Sequence, residues 1–143
     1  MSLDGFIAGP KGEYDWIPMD PEIDFVELFK DFDTILMGRK SYEVAQRDGH
    51  LDMYQLKTFV FSSSLRQEDH PKVTIARDPA ATVRELRSQP GKDLWLFGGG
   101  ELLRSFMARH LVDQLGIAVV PVLLGAGLPL LPGGPLKTKL TVV

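Results

Sequence analysis

The sequence predicts an α/β fold, and three observations predict it. Segments of helical spacing alternate with short apolar runs along the chain, so the two element types are interleaved and not segregated. Three of the runs, 34–37, 58–61 and 94–97, read as buried strands. Each of these ends in a small, polar or glycine-rich turn, after Met37, after Phe61 and after Phe97. In an open α/β sheet the carboxyl ends of the strands border the ligand crevice, so repeated turns of this kind point to a binding site.

The elements follow in order. Pro10 to Gly12 reads as a turn. Asp20-Pro21 is expected to open a helix, with Asp20 as cap and Pro21 at the first helical position. Phe25, Val26, Leu28, Phe29 and Phe32 fall on one face of it, and Asp33 ends the run. The strand at 34–37 leads into the turn Gly38-Arg39-Lys40-Ser41, and Tyr42 to Gln46 begins another helix. The strand at 58–61 is followed by Ser62-Ser63-Ser64, and a more exposed strand is expected at 72–76. Asp78-Pro79 caps a helix that turns Val83 and Leu86 inward and is closed by Gly91. The strand at 94–97 runs into Gly98-Gly99-Gly100 and a helix with Leu102, Leu103, Phe106, Met107 and Leu111 on one side. A long strand is expected from Gln114 to Leu124, a glycine- and proline-rich loop at 125–135, and the start of a last strand at 140–143.

Composition narrows the function classes. The 143 residues fit one domain, and 44% apolar content suffices for a packed core. The chain has no cysteine, which removes disulfides and thiolate metal sites. A net charge of −3 gives no electrostatic reason to expect nucleic acid or an anionic membrane. No apolar run is long enough for a membrane span, and Met1 to Gly5 lack the pattern of a signal peptide, so a cytoplasmic protein is expected. His50, His70 and His110 show no metal-ligand spacing and read as surface residues.

The turns carry the chemistry. Amide N–H groups at a helix N terminus are unpaired and lie at the positive end of the helix dipole. A strand, three glycines and an amphipathic helix therefore make a plausible pyrophosphate cradle, because no Cβ blocks the main chain. Arg39 and Lys40 add two cations, and Ser41 a hydroxyl. Arg can hold a phosphate through two parallel hydrogen bonds. Position 33 is Asp and Arg39 separates Gly38 from Lys40, so this is not the phosphate loop of a nucleoside triphosphatase. Ser62 to Ser64, with Arg66 beside them, suit a ribose phosphate.

Several segments together resemble the dihydrofolate reductase-like superfamily. They are Ser2 to Gly9, Asp15-Trp16, Asp33 to Glu43, Leu96 to Leu102, Leu111 to Leu115 and Pro121 to Leu130. They span nearly the whole chain, and the likeness is to small stand-alone bacterial members related to the riboflavin-biosynthesis reductase (RibD C-terminal) domain. The resemblance implies a three-layer α/β/α fold with a twisted, mostly parallel sheet, and NADPH as cofactor. It implies that Gly38, Arg39, Lys40 and Ser41 hold a cofactor phosphate and that Ser62, Ser63 and Ser64 lie near the adenosine 2′-phosphate. Gly98, Gly99, Gly100, Glu101 and Leu102 then form the pyrophosphate turn, with a cis bond between Gly98 and Gly99. Ile7 and Ala8 resemble positions that touch the nicotinamide, and Trp16 the tryptophan at the edge of the substrate pocket. Family members usually carry more strand at both ends, so either the chain is trimmed there or the sheet lacks most of two strands.

In dihydrofolate reductases a carboxylate on the first helix holds the pterin ring. Phe25 stands at that place here, and neither Glu22 nor Asp24 aligns with it, so the substrate stays open. The expected activity is hydride transfer from NADPH to a small pterin- or pyrimidine-like heterocycle. Phe25 and Phe29 are expected to pack against the substrate. A proton would come from Asp4, Asp15, Glu22 or Asp24, with Asp24 preferred. Two other function classes fit the same turns: a non-catalytic NADP(H) or nucleotide sensor, and a structural dimer. The apolar run from Ile117 to Leu124 suggests a homodimer.

Overall fold

Ile35, Leu36 and Met37 are 1%, 2% and 0% exposed, so the strand that carries them is covered on both faces. That strand is the second in chain order and the centre of the main sheet. The computed structural model describes residues 1–18, 21, 22, 24–51 and 55–143, and of Phe25 only the backbone. The elements are β1 (Phe6–Ala8), α1 (Phe25–Phe29), β2 (Phe32–Gly38), α2 (Arg39–Arg47), β3 (Lys57–Phe61) and β4 (Thr74–Ala76). They continue with α3 (Pro79–Arg87), β5 (Asp93–Gly98), α4 (Gly100–Ala108) and β6 (Leu128–Pro129). A short 3₁₀ turn at Gln67–Asp69 lies between β3 and β4.

Four strands form one sheet in the order β4-β3-β2-β5, and every pairing in it is parallel. Leu36 stands opposite Phe59 on β3 and Leu96 on β5. Successive side chains on a strand point to opposite faces. Ile35, Met37 and Val60 therefore meet Tyr42 of α2 and Val73 on one face. Leu36, Phe61 and Ala76 meet Val83 of α3 and Phe106 of α4 on the other. Phe29 of α1 stacks on Trp95 at 4.3 Å between ring centroids, and Trp95 packs on the same face as α2. The result is the expected three-layer arrangement, with a parallel sheet between helices. Among the described residues no helix is long and apolar enough to cross a membrane.

β1 and β6 form a separate antiparallel pair, and Ser2 bridges Val120 in parallel. Asp4 clamps the neighbouring turn: its carboxylate accepts from the amides of Leu124 and Gly125, the latter at 2.7 Å.

Several expectations need correction. The first helix begins at Phe25, capped by Asp24, and Pro21 lies in a turn. The proposed cap Asp20 lies outside the described residues. Asp33 does not end a helix; it belongs to β2, where its carboxylate accepts from the Lys92 amide at 2.8 Å and ties β2 to the loop before β5. The Lys92 amide bond, then the Thr34 hydroxyl, holds the Asp33 carboxyl below its ordinary value. Residues 39–41 are the first turn of α2 and not a separate loop. α3 ends at Arg87 with Ser88 as C-cap, short of Gly91.

The long strand expected at 114–124 is not formed. Its main-chain partners are Met1 and Leu3, through Val120 N–H to the Met1 carbonyl at 2.7 Å and Leu3 N–H to the Val122 carbonyl at 2.9 Å. These bonds make a single bridge and no ladder, and Ile117, Val119 and Leu123 are 40%, 52% and 73% exposed. Residues 140–143 form no strand either.

The layering makes a direct comparison. Leu36→Ala, at a site 2% exposed, should lower the unfolding free energy by about 2–5 kcal/mol, the usual cost of such a cavity. Val26→Ala, at a site 83% exposed, should change it by less than about 0.5 kcal/mol. Urea denaturation of the two variants beside the unsubstituted protein checks this.

Candidate functional site

In a parallel sheet all carboxyl ends lie on one edge. Gly38, Phe61 and Gly98 close β2, β3 and β5, so the three turns singled out in the sequence meet there. They border a cleft of about 720 Å³. Gly38, Arg39, Lys40 and Ser41 line it from α2. Ser62, Ser63 and Ser64 line it from the end of β3, and Gly99, Gly100, Glu101 and Leu102 from α4. Ile7 and Ala8 line it from β1.

The helix caps divide into two kinds. Asp24 caps α1, and Asp78 caps α3 by accepting from Ala80 N–H at 2.9 Å and Ala81 N–H at 3.1 Å. The N-caps of α2 and α4 are Gly38 and Gly99, with no side-chain cap. The two helices without a side-chain cap are the two that start at the cleft. Their first-turn amides, which no preceding turn can satisfy, are available there to an anionic ligand.

The two turns touch. A Cβ built on Gly99 would lie 3.3 Å from Ser41 Oγ, and one on Gly38 would lie 3.8 Å from the Gly98 carbonyl and the Gly99 nitrogen. The Gly98–Gly99 peptide bond is cis, and Gly98 has φ +120°, a backbone conformation that favours glycine. At Gly100 a Cβ would come within 2.6 Å of the Leu130 carbonyl, so the close approach also needs glycine.

Side chains around the cleft are partly committed. Arg39 pairs with Glu43 one turn on, at 3.1 Å, in an exposed contact. Lys40 makes no ion pair among the described residues. Ser62 Oγ accepts from the amides of Ser64 and Leu65, at 3.2 and 3.1 Å, and so shapes the turn after β3. Arg66 turns to Glu68. Arg77, which the sequence reading passed over, donates to the carbonyls of Ser62 and Leu65 at 3.0 Å each and braces that turn.

The expected proton donors and pocket walls are not brought to the cleft. Asp4 holds the 124–125 turn. Asp24 spends its carboxylate on the amides of Val26 and Glu27. The Trp16 indole donates to the Glu13 carbonyl at 3.3 Å and does not line the cleft. Phe29 is occupied by Trp95, and the side chain of Phe25 lies outside the described residues.

Tyr14 and His50 do line the cleft. The surface reading of His50 is thereby corrected. His70 is also no free surface group: its Nδ1 lies 2.8 Å from the Tyr42 hydroxyl in a shared hydrogen bond. Neither Tyr14 nor His50 stood in a motif. The visible signal was Asp48-Gly49, a turn pair at the end of the second helix that folds the chain back.

A parallel sheet between helices, with a cleft at its carboxyl edge bordered by two glycine-capped helix N termini, defines a three-layer α/β domain. The chain belongs to the RibD C-terminal domain family, a reductase-like domain, whose model matches residues 1–143. It is 37% identical to the Bacillus subtilis (strain 168) protein YyaP over 142 residues, covering 91% of this chain and 76% of that one. It is 34% identical to YwjB of the same organism over 145 residues, covering 98% and 83%. A crystal structure of a putative riboflavin biosynthesis protein from Shewanella sp. PV-4 superposes with a TM-score of 0.82 at 29% identity, covering 98% of this chain and 82% of that one. The Thermotoga maritima diaminohydroxyphosphoribosylaminopyrimidine deaminase/5-amino-6-(5-phosphoribosylamino)uracil reductase shares the fold at a TM-score of 0.61 and 16% identity, over 90% of this chain and 45% of that one.

Asp4 makes the clamp pH-dependent. A hydrogen bond with the Ser2 side chain, then the Gly125 amide, lowers its carboxyl below the ordinary 3.8. A carboxyl depressed on folding contributes stability above its unfolded pKa and loses it as pH falls through the folded value. Asp4→Asn should therefore be less stable than the unsubstituted protein at neutral pH. The gap should narrow as pH drops below about 4, as denaturant midpoints taken from pH 7 to pH 3 would read.

Proposed function

We propose that this chain is an NADPH-dependent reductase acting on a small planar heterocycle of pterin or pyrimidine type. The observation that carries this reading is the meeting of two glycine-capped helix N termini, with Arg39 and Lys40, at one cleft. The residues present fit such a cofactor. A Cβ at position 99 would crowd Ser41, so the glycine keeps open the space where the amides of 100–102 can approach a pyrophosphate. Arg39, Lys40 and Ser41 would hold a cofactor phosphate, and Ser62 to Ser64 the 2′-phosphate. Bound there, NADPH would supply the hydride. Ile7 and Ala8 offer an apolar floor beside it and help exclude water. Membership in a reductase-like domain family supports the reaction class. The riboflavin-biosynthesis description of the Shewanella protein supports the substrate class.

The proton that accompanies hydride enters from the end of the cleft bordered by Tyr14 and His50. Asp24, the donor first favoured, serves as a helix cap in this reading, and Asp4 as a turn clamp. The expected homodimer is part of the same proposal. The exposure of Ile117, Val119 and Leu123 supports it, and equilibrium sedimentation should return twice the 15.9 kDa chain mass. A monomer at all concentrations would remove it.

Arg39→Ala should weaken NADPH by about tenfold, the order of one charge-assisted phosphate contact, and weaken NADH much less. Isothermal titration with both cofactors checks this, and equal losses would contradict the phosphate role. Cofactor oxidation with pterins, pyrimidines and quinonoid heterocycles tests turnover. Tight NADPH binding without turnover of any of them would favour a non-catalytic sensor.

A further inference from the structure

The helix α2 ends in a way its own stability does not ask for. Arg47 sits in the last turn, where a cation suits the negative end of the helix dipole. The C-cap is Asp48, whose negative charge the same dipole disfavours. Its carboxylate is occupied. It accepts from the Tyr14 hydroxyl and from Arg47 Nε at 2.7 Å and Nη at 3.2 Å. The Asp48 side chain is only 19% exposed, while that of Arg47 is 68% exposed.

Tyr14 belongs to the loop that follows β1. That loop is closed on itself: Gly9 N–H bonds the Glu13 carbonyl at 2.8 Å, Gly12 N–H the Gly9 carbonyl at 3.0 Å, and Ile17 N–H the Tyr14 carbonyl at 3.0 Å. The Glu13 carboxylate accepts from the Lys11 amide at 2.7 Å. Tyr14 and Gly12 line the cleft from this loop, and Val44, Ala45 and His50 line it from α2 and the turn after it. Gly49, at φ +72°, reverses the chain after Asp48, and the His50 amide bonds the Ala45 carbonyl at 2.9 Å. Loop and helix end are thus two walls of the cleft, toward the C terminus of α2, while the turn 38–41 stands at the N terminus of that helix.

We infer that the hydrogen bond from Tyr14 to Asp48 fixes the loop 9–17 against the end of α2 and so sets the width of the substrate end of the cleft. Tyr14 borders the substrate space directly, and Asp48 is a positioning residue that acts through it. This rests on the reductase reading, which makes that end the substrate end. Three groups face the Asp48 carboxylate: Arg47 and His50 from α2 and its following turn, and Tyr14 from the loop. The Arg47 side chain, then the Tyr14 hydroxyl, holds the Asp48 carboxyl at about 2, so the acceptor stays ionised across the working range. Bonding to Asp48 pushes the Tyr14 hydroxyl above its ordinary 10.0, so the phenol keeps the proton it donates. The contact therefore acts as a fixed strut.

Tyr14→Phe keeps the ring and removes the donor. Asp48→Ala removes the acceptor, and Asp48→Asn keeps an acceptor oxygen and serves as the rescue. Amide hydrogen exchange over residues 9–17 should speed up about fivefold in the first two variants, in their double variant no further, and little in Asp48→Asn. In the presence of NADPH, titration with 2-aminopyrimidine and with pterin should show the two-ring probe gaining on the one-ring probe by about threefold in the first two variants. Unchanged exchange, additive effects in the double variant, or an unchanged probe ratio would each overturn the inference. Failure of the unsubstituted protein to bind NADPH would instead sink the reductase reading, and the exchange rates would still decide whether the strut exists.

Discussion

The direction of the strands is the constraint on which the molecule depends. β2, β3 and β5 run parallel, so their carboxyl ends reach the same edge of the sheet. The turns 38–41, 62–64 and 98–100 stand together because of that direction. A single antiparallel strand in place of β5 would send the triple glycine to the opposite edge, far from Arg39. The helices then reinforce the asymmetry. Those that start at the cleft leave their first amides without a side-chain cap, while α1 and α3 satisfy theirs with aspartates. The difference separates helix ends whose amides a side chain satisfies from helix ends whose first amides face the cleft without one.

Close packing around the glycines joins distant parts of the chain into that edge. Gly100 meets the carbonyls of Pro129 and Leu130 and the ring of Pro132, which leaves no room for a Cβ. The Leu130 amide bonds the Gly5 carbonyl at 3.0 Å. The start of α4, the loop after β6 and the turn before β1 are therefore held together by main-chain approach. β1 is short, and its seat beside the cleft comes from its pairing with β6 and from the Asp4 clamp.

The sequence made some of this legible for physical reasons. A strand buried on both faces leaves a largely apolar run, as at 34–37, and a glycine-rich turn marks its end; the run at 94–97 reads alike, yet its strand is only partly buried and Phe97 is 41% exposed. The fold class and the shared edge of the three turns followed from these local signals. Boundaries were less visible. Asp33 looked like a helix breaker because a lone acid in an apolar run does, yet it is a strand residue whose carboxylate is used across the sheet by Lys92. The run at 114–124 is apolar enough to read as a strand, but among the described residues it forms a single bridge, at Val120, and no ladder. The wall of the cleft formed by the loop after β1 was hardest to see. Tyr14, Asp48 and His50 are brought together by the loop after β1 and the turn after α2, and no spacing rule connects positions so far apart. The carboxylates chosen from the sequence were chosen by chemistry alone, and the structure finds Asp4 and Asp24 engaged with backbone amides.

Amide chemical-shift mapping of the labelled protein titrated with NADPH tests the central claim most directly. The account predicts that the amides of 39–41, 62–64 and 98–102 shift together along one binding curve. Shifts confined to one of these segments, or none at saturating cofactor, would contradict a single cleft built from three strand ends.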